Sequence, residues 1–74
     1  KQLLMTSTNK HTVKVNGHNT SVFIENEFWD ELKKICLIRN IRVDELISEI
    51  DKEKHSSNLS SAIRLYILNQ LRNI

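Results

Sequence analysis

Residues 11–24 read HTVKVNGHNTSVFI, a pattern typical of a β-hairpin. Asn16 and Gly17 form the strongest short-range hairpin signal, because both central residues of a type I′ turn need positive φ. Two runs rich in β-forming residues flank this pair, at residues 11–15 and 18–24. The sequence therefore predicts two short antiparallel strands joined by a two-residue turn.

A two-residue turn fixes the register of the two strands. Val15 is expected opposite His18, and successive steps away from the turn reach Lys10 opposite Phe23. The inner face, which covers a core, then collects Val13, Val15, Thr20, Val22 and Ile24, with His11 and His18 beside them. The outer face, which offers cations and hydrogen-bonding groups to a partner, collects Lys10, Thr12, Lys14, Asn19, Ser21 and Phe23.

From Glu25 the period of the apolar residues becomes helical. The apolar stripe of the first predicted helix consists of Phe28, Trp29, Leu32, Ile35 and Cys36. We expect this helix to end at Asn40, a residue that tolerates the left-handed cap conformation.

Two further helices follow in the pattern. The second runs from about Val43 to about Lys54 and buries Leu46, Ile47 and Ile50. The third begins after Asn58 as N-cap and covers residues 59–73. Its apolar residues extend beyond a narrow stripe, which favours contacts on more than one side and hence a dimer.

The size of the chain indicates one small domain of limited stability. A chain of 74 residues buries only roughly 60% of the surface that it exposes when unfolded. Its single cysteine, Cys36, allows no internal disulfide framework, so a second copy would supply the missing buried surface. We expect a domain over residues 10–74, preceded by a flexible arm at residues 1–9.

The sequence contains no residues arranged for catalysis or for metal binding. No cysteine–histidine cluster has metal-site spacing, and no serine has a base and an orienting group near it. We therefore predict no enzyme, no catalytic or metal-ligating residues and no cofactor. The formal charge of +2 permits a polyanionic partner, and the lack of a spanning or signal segment leads us to expect a cytoplasmic protein.

Residues 20–50, TSVFIENEFWDELKKICLIRNIRVDELISEI, resemble the ribbon-helix-helix family. The chain is also similar to a bacterial subfamily of that fold, through Gly17-His18, Thr20-Ser21-Val22, Glu25, Phe28-Trp29 and the segment NLSSAIR at residues 58–64. The resemblance implies a mainly α protein with a short β-hairpin or ribbon, a ribbon-helix-helix dimer with an additional C-terminal helix. Either residues 43–54 or residues 59–73 would be the second helix of the family.

The resemblance also implies a DNA interface. In the family a two-stranded ribbon enters the major groove, so Asn19, Ser21 and Phe23 correspond to base contacts. In the family the N-terminus of the second helix binds phosphate. Arg42 and Val43 are therefore the predicted phosphate contacts at the start of that helix. The predicted phosphate contacts on the first strand are Lys10, Thr12 and Lys14.

The predicted function is that of a homodimeric DNA-binding protein, a transcription regulator or repressor that reads the major groove with an antiparallel β-ribbon. The dimer core is expected from Val22, Ile24, Phe28, Trp29, Leu32, Ile47, Ile63 and Ile67. An alternative is a protein-interaction adaptor or antitoxin-type module that uses the same dimer to bind a protein partner.

Overall fold

The computed structural model describes residues 8–54 and 58–73, which form a hairpin packed on three helices. The elements are β1 (Thr8–Val15), β2 (His18–Glu25), α1 (Asn26–Arg39), α2 (Val43–Glu53) and α3 (Leu59–Arg72). This order confirms the predicted fold class, with its short hairpin and additional C-terminal helix. β1 begins two residues before the expected domain start, so Thr8 and Asn9 belong to the strand. Residues 1–7 of the predicted arm lie outside the described residues.

The hairpin has the turn and the register that the sequence predicts. Asn16 and Gly17 have φ angles of 53° and 86°, as a type I′ turn requires. The cross-strand pairs begin with Val15 opposite His18 and continue without a bulge to the far end of both strands. Because side chains alternate along a strand, this register separates the inner face from the outer face.

Gly17→Ala should destabilise the domain, because alanine is strained at the positive φ of this position. A Cβ at Gly17 would meet no atom within 4 Å, so the expected cost is backbone strain on the order of 1 kcal/mol. Gly17→Asn should cost less, since asparagine tolerates the left-handed region. Urea denaturation of both variants measures the difference, and a Gly17→Ala protein as stable as wild type would contradict the argument.

The core lies between the inner face of the hairpin and the three helices. The strands contribute the buried side chains Val13, Val15, Val22 and Ile24, and the helices contribute Leu32, Ile35, Cys36, Leu46, Ile47, Ile50, Ile63 and Ile67. Thr20 is half-buried, whereas His18 is exposed although it belongs to the inner-face register. Burial raises the pKa of the Cys36 thiol, as expected for a cysteine that packs as a small apolar residue.

The helix ends follow their sequence signals. Asn40 ends α1 with a φ of 59°, and the N–H of Ile41 donates to the carbonyl of Cys36 at 3.0 Å, the bond of a left-handed helix cap. α3 begins after Asn58, whose Oδ1 accepts a hydrogen bond from the N–H of Ser61 at 3.0 Å. The bounds of α2 agree with the prediction to within one residue.

Candidate nucleic-acid interface

The outer face of the hairpin is exposed from the turn to the pair formed by Lys10 and Phe23. Its side chains are Lys10, Thr12 and Lys14 on β1 and Asn19, Ser21 and Phe23 on β2, and all six are exposed. The opposite face is anchored in the core, so the helices support this surface from below. The structure therefore brings the three predicted base-contact residues into one row, beside three of the predicted phosphate contacts.

Phe23 is held at its backbone by α3. Its N–H donates to Oγ of Ser60 at 3.2 Å, and its carbonyl accepts from Nη2 of Arg64 at 3.1 Å. We call Ser60 and Arg64 the α3 clamp. Phe23 is 51% exposed, so its backbone is fixed while its side chain is available to a partner.

The α3 clamp is a feature that periodicity in the sequence does not indicate. Its two hydrogen bonds to Phe23 join residues 37 and 41 positions apart. Only the NLSSAIR segment, through the family resemblance, draws attention to Ser60 and Arg64.

Arg64 also pairs with Glu25, the next outward position on β2 after Phe23. Its Nε lies 2.8 Å from Oε1 of Glu25. The hydrogen bond from Arg64 lowers the pKa of the Glu25 carboxyl group. The pair partly neutralises an acidic side chain at the end of the outer face, where it would otherwise repel phosphate.

The stabilising effect of the Glu25 charge should be lost in acid. Because the folded-state pKa is lowered, the contribution is present above the ordinary value of 4.5 and disappears as the pH falls through the folded value. Glu25→Gln should therefore be less stable than wild type at neutral pH, and the two proteins should converge well below 4.5. Urea unfolding of both proteins over a pH series measures this, and a difference that is independent of pH would contradict it.

Two of the predicted phosphate contacts, Lys14 and Arg42, line one open groove between the hairpin turn and the start of α2. The groove has a volume of about 480 Å³. Its charged lining consists of Lys14, Arg42 and Lys52 together with Asp44, Glu45 and Glu49. Cations and carboxylates are equal in number, so this groove is less attractive to phosphate than the outer face is.

The N-terminus of α2, where Arg42 and Val43 are predicted to hold phosphate, has acidic neighbours. The N–H of Arg42 donates to Oε1 of Glu45 at 3.0 Å. The Asp44 carboxylate accepts from the backbone N–H of Lys14 at 3.3 Å. Arg42 is exposed and Val43 is half-buried, so the guanidinium of Arg42 is better placed to meet an anion than its backbone N–H.

Most of the residues predicted for the dimer core lie in the core of the single chain. Val22, Ile24, Leu32, Ile47, Ile63 and Ile67 are at most 1% exposed. Phe28 and Trp29 are half-buried, and Trp29 stacks on His11 with ring centroids 3.8 Å apart. Besides Phe23, the large apolar side chains exposed in the described part of the chain are Leu37, Ile38, Leu65, Leu68 and Leu71.

Within residues 8–54 and 58–73, no three histidine, cysteine, aspartate or glutamate side chains are grouped so that they could hold a metal ion. His11, one of the two histidines in the inner-face register, is stacked on Trp29. The helices in this part of the chain lack the length and apolar character needed to cross a membrane.

Comparison with known protein families identifies a domain family that this chain matches. Residues 8–71 match a family described as a ribbon-helix-helix domain, and the match includes both strands, α1, α2 and nearly all of α3. No curated protein and no solved structure matches the chain significantly. Since the family match covers most of the sequence and agrees with the hairpin followed by helices, this chain belongs to the ribbon-helix-helix domain family.

Proposed function

We propose that this chain forms a homodimer that binds double-stranded DNA and acts as a bacterial transcription regulator, a repressor in the cytoplasm. Ribbon-helix-helix domains generally bind DNA as dimers and serve in transcription regulators and antitoxins, and they are typically not enzymes. The outer face is the surface that we assign to the DNA.

The observation that carries this proposal is the composition and exposure of the outer face. It presents two lysines among its six exposed side chains, and the carboxylate at its end, Glu25, is paired with Arg64. A two-stranded ribbon is an element that fits the major groove. Outward side chains on one strand recur about every 6.8 Å, which is close to the axial length of two base pairs. Asn19, Ser21 and Phe23 are therefore spaced to meet bases about two steps apart.

The side chains on β2 have the chemistry to distinguish bases. The amide of Asn19 can bond adenine with two hydrogen bonds, and the hydroxyl of Ser21 can bond several base edges. Phe23 has no polar group, and its exposed ring suits the methyl group of thymine. The α3 clamp holds the backbone of Phe23, so the ring approaches the groove from a fixed point.

Phosphate contacts are assigned to residues beside this row. Lys10, Thr12 and Lys14 lie on β1, at the flank of the ribbon. Arg42 and Val43 lie at the start of α2, where the side chain of Arg42 meets the flanking phosphate and offsets the carboxylates of Asp44 and Glu45. We take α2 as the second helix of the family, since only three residues separate it from α1.

The dimer is inferred from the family and from apolar surface that one chain leaves uncovered. Leu65, Leu68 and Leu71 are 60%, 44% and 45% exposed on α3. Covering such side chains with a second copy adds apolar burial that a short chain lacks. Of the eight residues predicted for the dimer core, six are buried within one chain, whereas Phe28 and Trp29 are half-buried.

DNA binding is tested by fluorescence anisotropy with a labelled duplex of random sequence over a salt series. A DNA-binding protein of this kind should bind non-specifically with a Kd of about 10⁻⁴–10⁻⁶ M, and log affinity should fall by about 0.9 per phosphate contact for each unit of log salt. Selection from a random duplex library should return inverted half-sites, because the protein is two-fold symmetric. A folded protein that binds no duplex at low salt would refute the proposal.

Asn19→Ala should reduce the protein's discrimination between bases in the selected site. We expect a loss of about 1–3 kcal/mol on the preferred sequence and little change on random duplex, because a base contact carries the discrimination. Asn69→Ala makes the same chemical change at an exposed position of α3 and serves as the control. Competition binding measures both, and an equal loss on every sequence would contradict base readout by Asn19.

One observation favours a second function for the same dimer. Phe23 exposes half of its surface at the end of the outer face that lies far from the turn, beside polar side chains, as a residue in a protein-binding surface would. The alternative is a protein-interaction adaptor or antitoxin-type module that uses the same dimer to bind a protein partner. Fluorescence anisotropy distinguishes DNA binding from protein binding. An adaptor would not bind duplex at low salt, whereas its Phe23→Ala variant would still fail to bind the protein partner.

A further inference from the structure

We propose that α2 fixes the turn end of the hairpin, so that Lys14 reaches the DNA backbone beside Arg42. The positioning residues are Asp44, Ser48 and Asp51, which we call the α2 latch. This inference rests on the proposed DNA binding, and it specifies how one of the assigned phosphate contacts is held in place.

The three residues of the α2 latch share one face of α2, because steps of four and three residues return to the same side of a helix. Each of their side chains accepts a hydrogen bond from the hairpin. Oδ1 of Asp44 accepts from the backbone N–H of Lys14 at 3.3 Å. Asn16 donates twice, from its backbone N–H to Oγ of Ser48 and from its side-chain amide to Oδ2 of Asp51, both at 3.3 Å. Successive points of the hairpin therefore meet successive turns of α2.

The backbone of residues 14–16 is fixed from two directions. Lys14 and Asn16 are bonded to the α2 latch, and Val15 between them is only 6% exposed in the core. The exposed side chain of Lys14 therefore extends from a fixed point on the backbone. A contact made from a fixed point loses less conformational entropy on binding than one made from a loose loop.

The α2 latch also brings Lys14 close to Arg42. The backbone of Lys14 is bonded to Asp44, which follows Arg42 by two residues. Both cations are exposed and line the same groove. Among the ion pairs in the described ranges 8–54 and 58–73, none includes either of these side chains. Two unpaired cations so placed suit neighbouring phosphate oxygens, with Arg42 as the planar donor and Lys14 as the point charge.

The charge of Asp44 opposes the positioning effect of its hydrogen bond. The bond to Lys14 requires only an acceptor oxygen, whereas the negative charge repels phosphate. Ser48 supplies an acceptor without charge, and the charge of Asp51 is offset by Lys54, whose Nζ lies 2.7 Å from Oδ1. Substitutions at Ser48 and Asp44 therefore separate positioning from charge.

Ser48→Ala removes one hydrogen bond of the α2 latch without changing any charge. We expect affinity for random duplex to fall about two- to tenfold, the range for one lost hydrogen bond. The slope of log affinity against log salt should become shallower by up to about 0.9, the value of one phosphate contact. Fluorescence anisotropy over a salt series measures both. Ser61→Ala makes the same change at another half-buried position, on α3, and serves as the control.

The same substitution in the Lys14→Gln protein tests whether Ser48 acts through Lys14. Ser48→Ala should then cause no further loss of affinity or slope, because the contact that it positions is already absent. An equal loss in both backgrounds would overturn the positioning role. Amide hydrogen exchange at Asn16 without DNA should be faster in Ser48→Ala than in wild type, and urea denaturation shows that each variant is folded.

Asp44→Asn keeps an acceptor oxygen and removes the charge, so its effect should have the opposite sign. We expect random duplex to bind up to about fivefold more tightly, as for the loss of one nearby negative charge in water. Weaker binding would overturn the assigned role of Asp44. A wild-type protein that binds no duplex overturns the proposed function and this inference together. If wild type binds and Ser48→Ala keeps its full affinity and slope, only the role of the α2 latch is overturned.

Discussion

Leu32→Ala should destabilise the domain by about 2–5 kcal/mol, the cost of removing a large side chain from a packed core. Leu32 has no exposed surface and lies in α1 beneath the hairpin. A domain of this length has a total stability of about 4–11 kcal/mol, so the variant should be largely or partly unfolded. Urea denaturation followed by circular dichroism measures the loss.

Leu37→Ala is the matched control for Leu32→Ala. It makes the same chemical change on the same helix, but Leu37 is 81% exposed, and its loss should change stability by less than about 0.5 kcal/mol. Both variants must be compared at one protein concentration, because the proposed dimerisation would make stability depend on concentration. Equal effects of the two substitutions would show that the core is not where the structure places it.

Lys10→Gln combined with Lys14→Gln should weaken DNA binding on every sequence and make it less sensitive to salt. If each lysine contacts one phosphate, the slope of log affinity against log salt should become shallower by about 1.8 per protomer. The base preference should persist, because Asn19 and Ser21 remain in place. Anisotropy over a salt series measures the slope on the selected site and on random duplex.

Lys33→Gln combined with Lys34→Gln controls for the change in net charge. Both lysines are exposed on α1 and lie off the outer face, so removal of the same two charges should leave the slope nearly unchanged. A similar loss of slope in both double variants would mean that the protein attracts DNA through its overall charge. The hairpin would then have no special part in phosphate binding.

The sequence is sufficient to predict the hairpin and the helices because the signals that fix them are local. Asn16 and Gly17 set the turn, the turn sets the register, and the register sorts the faces that the structure confirms. Asn40 and Asn58 mark helix ends through hydrogen bonds to residues within four positions along the chain. Each of these features depends on backbone geometry within a few residues.

Features that depend on distant contacts were not accessible in this way. The α3 clamp requires Ser60 and Arg64 to meet β2 across the fold. The carboxylate of Asp44, which makes the start of α2 less favourable to phosphate, is held there by the backbone of Lys14. Sequence periodicity places Ile63 and Ile67 on the apolar side of a helix. It does not show whether these side chains are buried within one chain or at an interface with a second chain.

The hairpin is fastened to the helices near both of its ends. Near the turn, the backbone N–H groups of Lys14 and Asn16 bond the side chains of Asp44 and Ser48 in α2, each at 3.3 Å. At the far end, Phe23 is bound to α3. The ribbon therefore cannot swing as an independent arm. A rotation of α2 relative to α3 would change the twist of the hairpin and the angle at which it presents its outer face.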